Sequence, residues 1–181
     1  MPITESAITL NFSDKNFFRF QDCQWYRDLE NIIEMDVCWY DQANDILYII
    51  ELKDWGNHNL NEEANPNFSA EKIKEMKEKI STHRINDLLK KSIDSVSMFV
   101  SILLKKPYST KIQACSPFAI TQNTQIKLLT IVNWSSLDLT YIDNVNSAYK
   151  TKFKPYAKLY DIKIFLVITK KQALEMFDWV L

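Results

Sequence analysis

Apolar positions along this chain fall into two rhythms, and the switches between them mark out the elements. Residues 1–20 read as extended, with Ile8, Leu10, Phe12, Phe18 and Phe20 at apolar positions. A short helix is predicted over about 22–31, with Asp22 as its N-cap. From Glu34 to Trp55 the chain runs EMDVCWYDQANDILYIIELKDW, two strands and a turn over about 34–54. The second strand is apolar on both faces until it ends in Glu-Leu-Lys, as a strand buried on both sides reads.

A polar, asparagine-rich loop, Gly56 to Ser69, comes next, and Ser69 is placed to cap a charged helix over about 70–80. Residues 56–80 read as a solvated polar insertion. Ile85, Leu88, Leu89, Ile93, Val96, Val100 and Leu103 recur at helical spacing and predict a long helix over about 82–105, ended by Pro107. A strand is expected at about 111–119, a stronger one at Gln125–Trp134, and a helix at about 144–160 with Pro155 as a kink or a start. A last strand, 162–169, precedes a short terminal helix. This order predicts a single domain over 1–181 of mixed α/β (α+β) class: a three-layer sandwich with a central mixed β-sheet flanked by helices.

Composition narrows the chemistry. The chain has 181 residues, enough for one domain with its own core. Its one glycine, Gly56, excludes Walker loops and dinucleotide fingerprints. Two histidines, His58 and His83, leave little for a histidine metal site or a Ser-His-Asp arrangement. Three widely spaced cysteines (Cys23, Cys38, Cys115) match neither a disulfide framework nor a zinc knuckle and point to a reducing compartment. With no membrane-length apolar run and no signal-peptide layout, the expectation is a cytoplasmic protein without membrane association. A formal net charge of −1 argues mildly against a general nucleic-acid binder, although a local basic face matters more than the total.

The candidate chemistry sits at the end of the hairpin. Side chains alternate along a strand, so Glu51 and Lys53 share a face with Leu47 and Ile49, and Glu34, Asp36 and Cys38 share one on the first strand. A two- or four-residue loop that pairs Tyr40 with Asp45 sets Asp36 opposite Ile49 and Glu34 opposite Glu51, making Asp36 and Glu51 diagonal neighbours about 7 Å apart. Charges on a buried strand are costly unless they are paired or hold a metal. Asp36, Glu51 and the backbone carbonyl of Leu52 are oxygen donors of the kind Mg²⁺ or Mn²⁺ takes. Lys53 could hold or deprotonate a water, or stabilise developing negative charge. The bland alternative is a solvated strand end with a surface ion pair.

Asp36 near the start of a hairpin, with Glu51-Leu52-Lys53 on the next strand, resembles the PD-(D/E)XK nuclease superfamily, the restriction-endonuclease-like fold. Met35 stands where the family's proline would be. The motif covers about twenty residues, and the order of elements extends the likeness over most of the chain. The resemblance implies a Mg²⁺- or Mn²⁺-dependent endonuclease with Asp36, Glu51 and Lys53 as catalytic residues and Asp36, Glu51 and Leu52 as metal ligands. It implies a further acidic residue, Glu30 or Glu34, and a basic residue on the following helix, Lys91. The substrate would be nucleic acid, DNA ahead of RNA, cut to leave a 5′-phosphate in defence, repair or mobile-element processing. A homodimer or a partner protein could complete the enzyme. The competing expectation is a domain of this fold with little catalysis, serving as a nucleic-acid-binding or protein-interaction module.

Three features outside the motif carry second readings. Lys150, Lys154 and Lys158 form one helical stripe beside Tyr149, Phe153, Tyr156 and Tyr160: a phosphate-contacting face, or a solvated edge over buried aromatics. His83-Arg84 is either a phosphate contact or a surface helix start. Trp25, Trp39, Trp55 and Trp134 read mainly as core, with Trp55 the one to watch for base stacking.

Overall fold

The computed structural model describes residues 2–12, 14, 16–55, 69–135 and 139–181. The N-terminal stretch forms a hairpin of β1 (Ile3–Glu5) and β2 (Ile8–Leu10), then β3 (Phe17–Phe18), a 3₁₀ turn (Phe20–Asp22) and α1 (Gln24–Arg27). The expected helix over 22–31 is thus a single turn, and Cys23 rather than Asp22 precedes it. β4 (Val37–Asp41) and β5 (Ile46–Asp54) form the anticipated hairpin. α2 (Ala70–Leu103), α3 (Pro107–Gln113), β6 (Gln125–Asn133), α4 (Thr140–Leu159), β7 (Ile164–Thr169) and α5 (Lys170–Met176) follow.

The main sheet has the order β3-β4-β5-β6-β7. β3, β4 and β5 are antiparallel, whereas β5, β6 and β7 are parallel. The fold is therefore mixed α/β around a five-stranded mixed sheet. β5, central and nine residues long, is buried from Leu47 through Leu52, as its unbroken apolar run required. Cys38, Leu47, Ile49 and Leu128 pack against Leu88 and Val96 of α2 and Ile142, Tyr149 and Phe153 of α4. Val37, Trp39, Tyr48, Ile50 and Leu52 on the opposite face pack against Ile8 and Leu10 of β2, Ala173 of α5 and Trp179. Among the described residues, no helix is long and apolar enough to cross a membrane.

Three predicted elements change. The helices expected at 70–80 and 82–105 are one 34-residue helix capped by the Ser69 hydroxyl, because Ile80-Ser81-Thr82 contains no proline or glycine to break it. Of the predicted insertion, 56–68 lies outside the described residues, Ser69 is the N-cap of α2, and 70–80 belongs to α2 itself. The strand expected at 111–119 is α3 and an irregular segment: Pro107 ends one helix and occupies the first turn of the next, where its missing N–H costs nothing.

The cysteine expectation also changes. Cys23 and Cys115 form a disulfide across 92 residues, leaving Cys38 as a buried free thiol. Distance in sequence hid a pairing that the packing of α1 beside α3 creates, with Cα atoms 5.6 Å apart. The pairing removes the cysteine argument for a reducing compartment.

Candidate active site

The hairpin register differs by two residues from the expected one. Tyr40 pairs with Leu47, Cys38 with Ile49 and Val37 with Ile50, around a four-residue loop at 42–45. Asp45 lies in the loop rather than opposite Tyr40. Its backbone is left-handed, with φ 53°, a conformation aspartate tolerates, and its carboxylate accepts from the Tyr40 and Thr124 hydroxyls. A shift of two preserves the faces. It moves Asp36, just before β4, from opposite Ile49 to the level of Glu51.

There the Asp36 carboxylate takes the place of a ladder partner. Its Oδ2 accepts the Leu52 N–H at 2.7 Å. The Leu52 carbonyl accepts from the Ser6 hydroxyl at 3.1 Å, which brings the β1–β2 turn to the site and leaves that carbonyl one lone pair. The segment before Asp36 is tied to α2: the Ile33 and Met35 amides donate to the Asp94 carboxylate and the Ser95 hydroxyl at 3.0 and 2.8 Å.

Glu51 is 0 % exposed. Its Oε1 contacts Lys53 Nζ and Lys91 Nζ, each at 2.7 Å, while its Oε2 is buried with no hydrogen-bond partner among the described residues. Lys91 Nζ also lies 3.8 Å from Asp36 Oδ1, so this ammonium stands between the two carboxylates. Lys53 pairs in addition with Asp87 at 3.4 Å.

Burial, reinforced by the Asp36 charge, raises the Glu51 carboxyl to about 7 against the opposing pull of Lys91 and Lys53. Burial works to lower the Lys53 ammonium, but the Glu51 carboxylate, with Asp87 and Asp36, outweighs it and holds Lys53 above the ordinary lysine range. The one contact thus favours charge on Lys53 more than on Glu51. Lys53 keeps part of its hydration at 26 % side-chain exposure, and Glu51 keeps none.

Asp36, Glu51, Lys53 and Lys91 therefore meet, as the sequence led one to expect. The two candidates for the further acidic residue do not join them. Glu34 accepts a hydrogen bond from the Tyr26 hydroxyl, and Glu30 is exposed in the turn after α1. Two other carboxylates stand closer. Asp87 holds Lys53, and its spacing from Arg84 and Lys91 on α2 is a charged i, i+3, i+7 stripe legible in the sequence. Glu5 binds Arg19 at 2.8 Å, and Arg19 Nε donates to the Asp36 carbonyl at 3.3 Å. Burial and then the Asp36 charge raise the Glu5 carboxyl, with Arg19, Lys91 and Lys53 opposing. No local pattern announces Glu5, which arrives by folding of the terminal hairpin.

Lys150, Lys154 and Lys158 lie elsewhere. α4 starts beside the C-terminal end of β6 and runs back along the sheet, so these residues stand roughly 14–26 Å along its axis from Tyr141. They line a separate groove with Lys163 and Phe165. Trp39 and Trp55 are core; Trp25 and Trp134 are partly buried against it. His83 and Arg84 do face the site, bordering a cleft of about 620 Å³ that Lys53 and Asp87 also line.

The donor set suits a hard divalent cation. The Asp36 and Glu51 carboxylates stand on either side of the Lys91 ammonium, and among the described residues Glu51 Oε2 is a buried oxygen without a partner. Among the described residues no three His, Cys, Asp or Glu side chains form a ready-made cage; the carboxylate pair converges on Lys91 instead. In comparisons with known proteins, no family model, no curated protein and no solved structure matches this chain.

Proposed function

We propose that this chain is a metal-dependent nuclease of the restriction-endonuclease-like type, hydrolysing phosphodiester bonds, in DNA ahead of RNA. The observation that carries the reading is the fully buried Glu51, with one oxygen unpartnered among the described residues, level with Asp36 and flanked by two lysines. An isolated carboxylate is not retained at such a position without a counter-ion or a task.

Asp36, Glu51 and the Leu52 carbonyl would hold Mg²⁺ or Mn²⁺. Bound there, the cation would lower the pKa of a coordinated water and offset charge on the phosphate. Lys53, held protonated by Glu51 and Asp87, is a donor and not a proton acceptor. Its role is to orient the attacking water and steady the negative charge that develops on phosphate oxygen. Asp87 restrains it from the α2 side. Lys91 compensates both carboxylates before substrate and cation arrive, and it keeps Glu51 ionisable in a dry site. In hydrolysis the water oxygen bonds to phosphorus, the bond to the 3′ oxygen breaks, and that oxygen takes a proton, leaving a 5′-phosphate.

The Lys91 bridge also favours a second reading. An ammonium that already satisfies both carboxylates suits a restriction-endonuclease-like module that binds nucleic acid or protein without cutting. A cleavage assay separates the two. Plasmid, linear and single-stranded DNA and RNA are incubated with Mg²⁺, Mn²⁺ or EDTA, alongside Glu51→Ala and Lys53→Ala. The nuclease reading expects metal-dependent cleavage that falls at least about 100-fold in either variant. A folded wild type that cuts none of these substrates leaves the binding module.

A further inference from the structure

Arg84 is a held guanidinium that no carboxylate among the described residues neutralises. On α2 it stands one turn from Asp87 and two turns from Lys91, on the same side of the helix. Its guanidinium lies over the Trp55 ring at 4.7 Å from the centroid and 5.5 Å from that of Tyr141. Its Nη1 donates to the Tyr141 hydroxyl at 2.9 Å. Both rings are themselves fixed: Trp55 is core, and Tyr141 stacks on Trp134 with centroids 5.2 Å apart.

These contacts immobilise a side chain that would otherwise keep its rotamer freedom. Among the described residues, cation–π contact and one neutral hydrogen bond leave most of its five donors unused. Among the described residues no carboxylate pairs with Arg84. Asp87, the acidic group nearest to it on the helix, is engaged with Lys53. Asp54, also at the cleft, is bonded by Asn133. Arg84 lines the 620 Å³ cleft together with Lys53, Lys79 and His83. The cleft therefore opens from the candidate catalytic lysine onto a fixed, unneutralised fork suited to a planar or tetrahedral oxyanion.

We propose that this cleft is an anion subsite that takes a phosphate of the nucleic-acid strand next to the one held at Asp36 and Glu51, with Arg84 as its fixed donor. The assignment of the ligand rests on the nuclease reading. Arg84 is about 10 Å along α2 from Lys91, a separation that a neighbouring phosphodiester can span. The aromatic clamp makes Arg84 a positioning residue: it fixes the path of the strand and takes no part in the bond changes. Lys79 lies at the outer rim with its charge engaged by Glu75, so the fork on Arg84 supplies the direction.

The test measures binding apart from cutting. Fluorescence anisotropy of labelled single- and double-stranded 20-mer DNA is read in EDTA at several salt concentrations for wild type, Arg84→Gln, Arg84→Lys and Tyr141→Phe, each checked for an unchanged unfolding midpoint. Arg84→Gln should weaken binding by about 10-fold or more and reduce the salt slope by about one counter-ion. Arg84→Lys should recover the slope but not the affinity, because it restores charge without the fork. Tyr141→Phe should weaken binding less than Arg84→Gln. A folded Arg84→Gln with wild-type affinity and slope overturns the subsite, as does a wild type that binds neither oligonucleotide. Cleavage in Mg²⁺ is scored separately. Arg84-dependent binding without cleavage keeps the subsite and removes the nuclease reading. Cleavage with Arg84-independent binding does the reverse.

Discussion

Glu51 takes its properties from where β5 puts it. A glutamate that ordinarily titrates near 4.5 is raised to about 7, first by burial and then by Asp36. A carboxyl whose proton is held more tightly in the folded chain stabilises the fold at low pH. That contribution is complete below about 4.5 and is lost as pH rises through about 7. Between about pH 5 and about pH 8, wild type should therefore lose up to roughly 3 kcal/mol relative to Glu51→Gln, which has no proton to lose. Urea unfolding of both proteins in EDTA gives this difference directly. A gap independent of pH would mean that Glu51 carries the same proton occupancy folded and unfolded. The same residue shows what was legible locally. Glu-x-Lys at the end of an apolar run, with an aspartate upstream, placed Asp36, Glu51 and Lys53 together on one face, since alternation along a strand is a local rule. Glu5 could not be read, because its place depends on contacts such as Ser6 with Leu52, 46 residues apart.

At the scale of elements, α2 joins the site to the rest of the fold. Its Asp94 and Ser95 fix the approach to Asp36, its Lys91 bridges the carboxylates, and its Asp87 holds Lys53. Replacing Lys91 removes one of two cations on a buried oxygen. Lys91→Met should cost about 2 kcal/mol near neutral pH or above, less than the roughly 3–5 kcal/mol of a fully orphaned buried charge because Lys53 remains. The loss should shrink in acid, where Glu51 holds its proton. Equal stability of Lys91→Met and wild type at about pH 8 in chemical denaturation would show that the bridge does not hold the folded state. The elements also show why parity was safer than register. Any even loop kept Asp36 and Glu51 on one face, but the pairing itself turned on whether Asp45 entered the strand or the left-handed loop position. The error at 111–119 has a similar source: Pro107 can close one helix or open another, and only the docking of Ile112 in the core decides.

For the whole molecule, the covalent link matters as much as the sheet. Closing a loop of 92 residues removes chain entropy from the unfolded state worth about 4–5 kcal/mol on the loop-closure model. Cys115→Ser, or wild type under thiol reductant, should lose stability on that order in urea unfolding. A loss under about 1 kcal/mol would mean that the reduced unfolded chain keeps these segments together. The edge strand β7 is guarded by side chains: the Val167 N–H donates to Asn146, and the Thr169 N–H to Gln172 within the cap of α5. The sheet thus offers less of the open hydrogen-bonding rim on which another strand could pair.

The disulfide has a topological consequence too. Cys23 and Cys115 enclose Asp36, Glu51, Lys53, Arg84, Asp87 and Lys91 in one covalent ring, while Glu5, Arg19 and Tyr141 sit on the two tails that leave it. Cutting the main chain once anywhere within the ring would leave a single molecule with every one of these groups still attached.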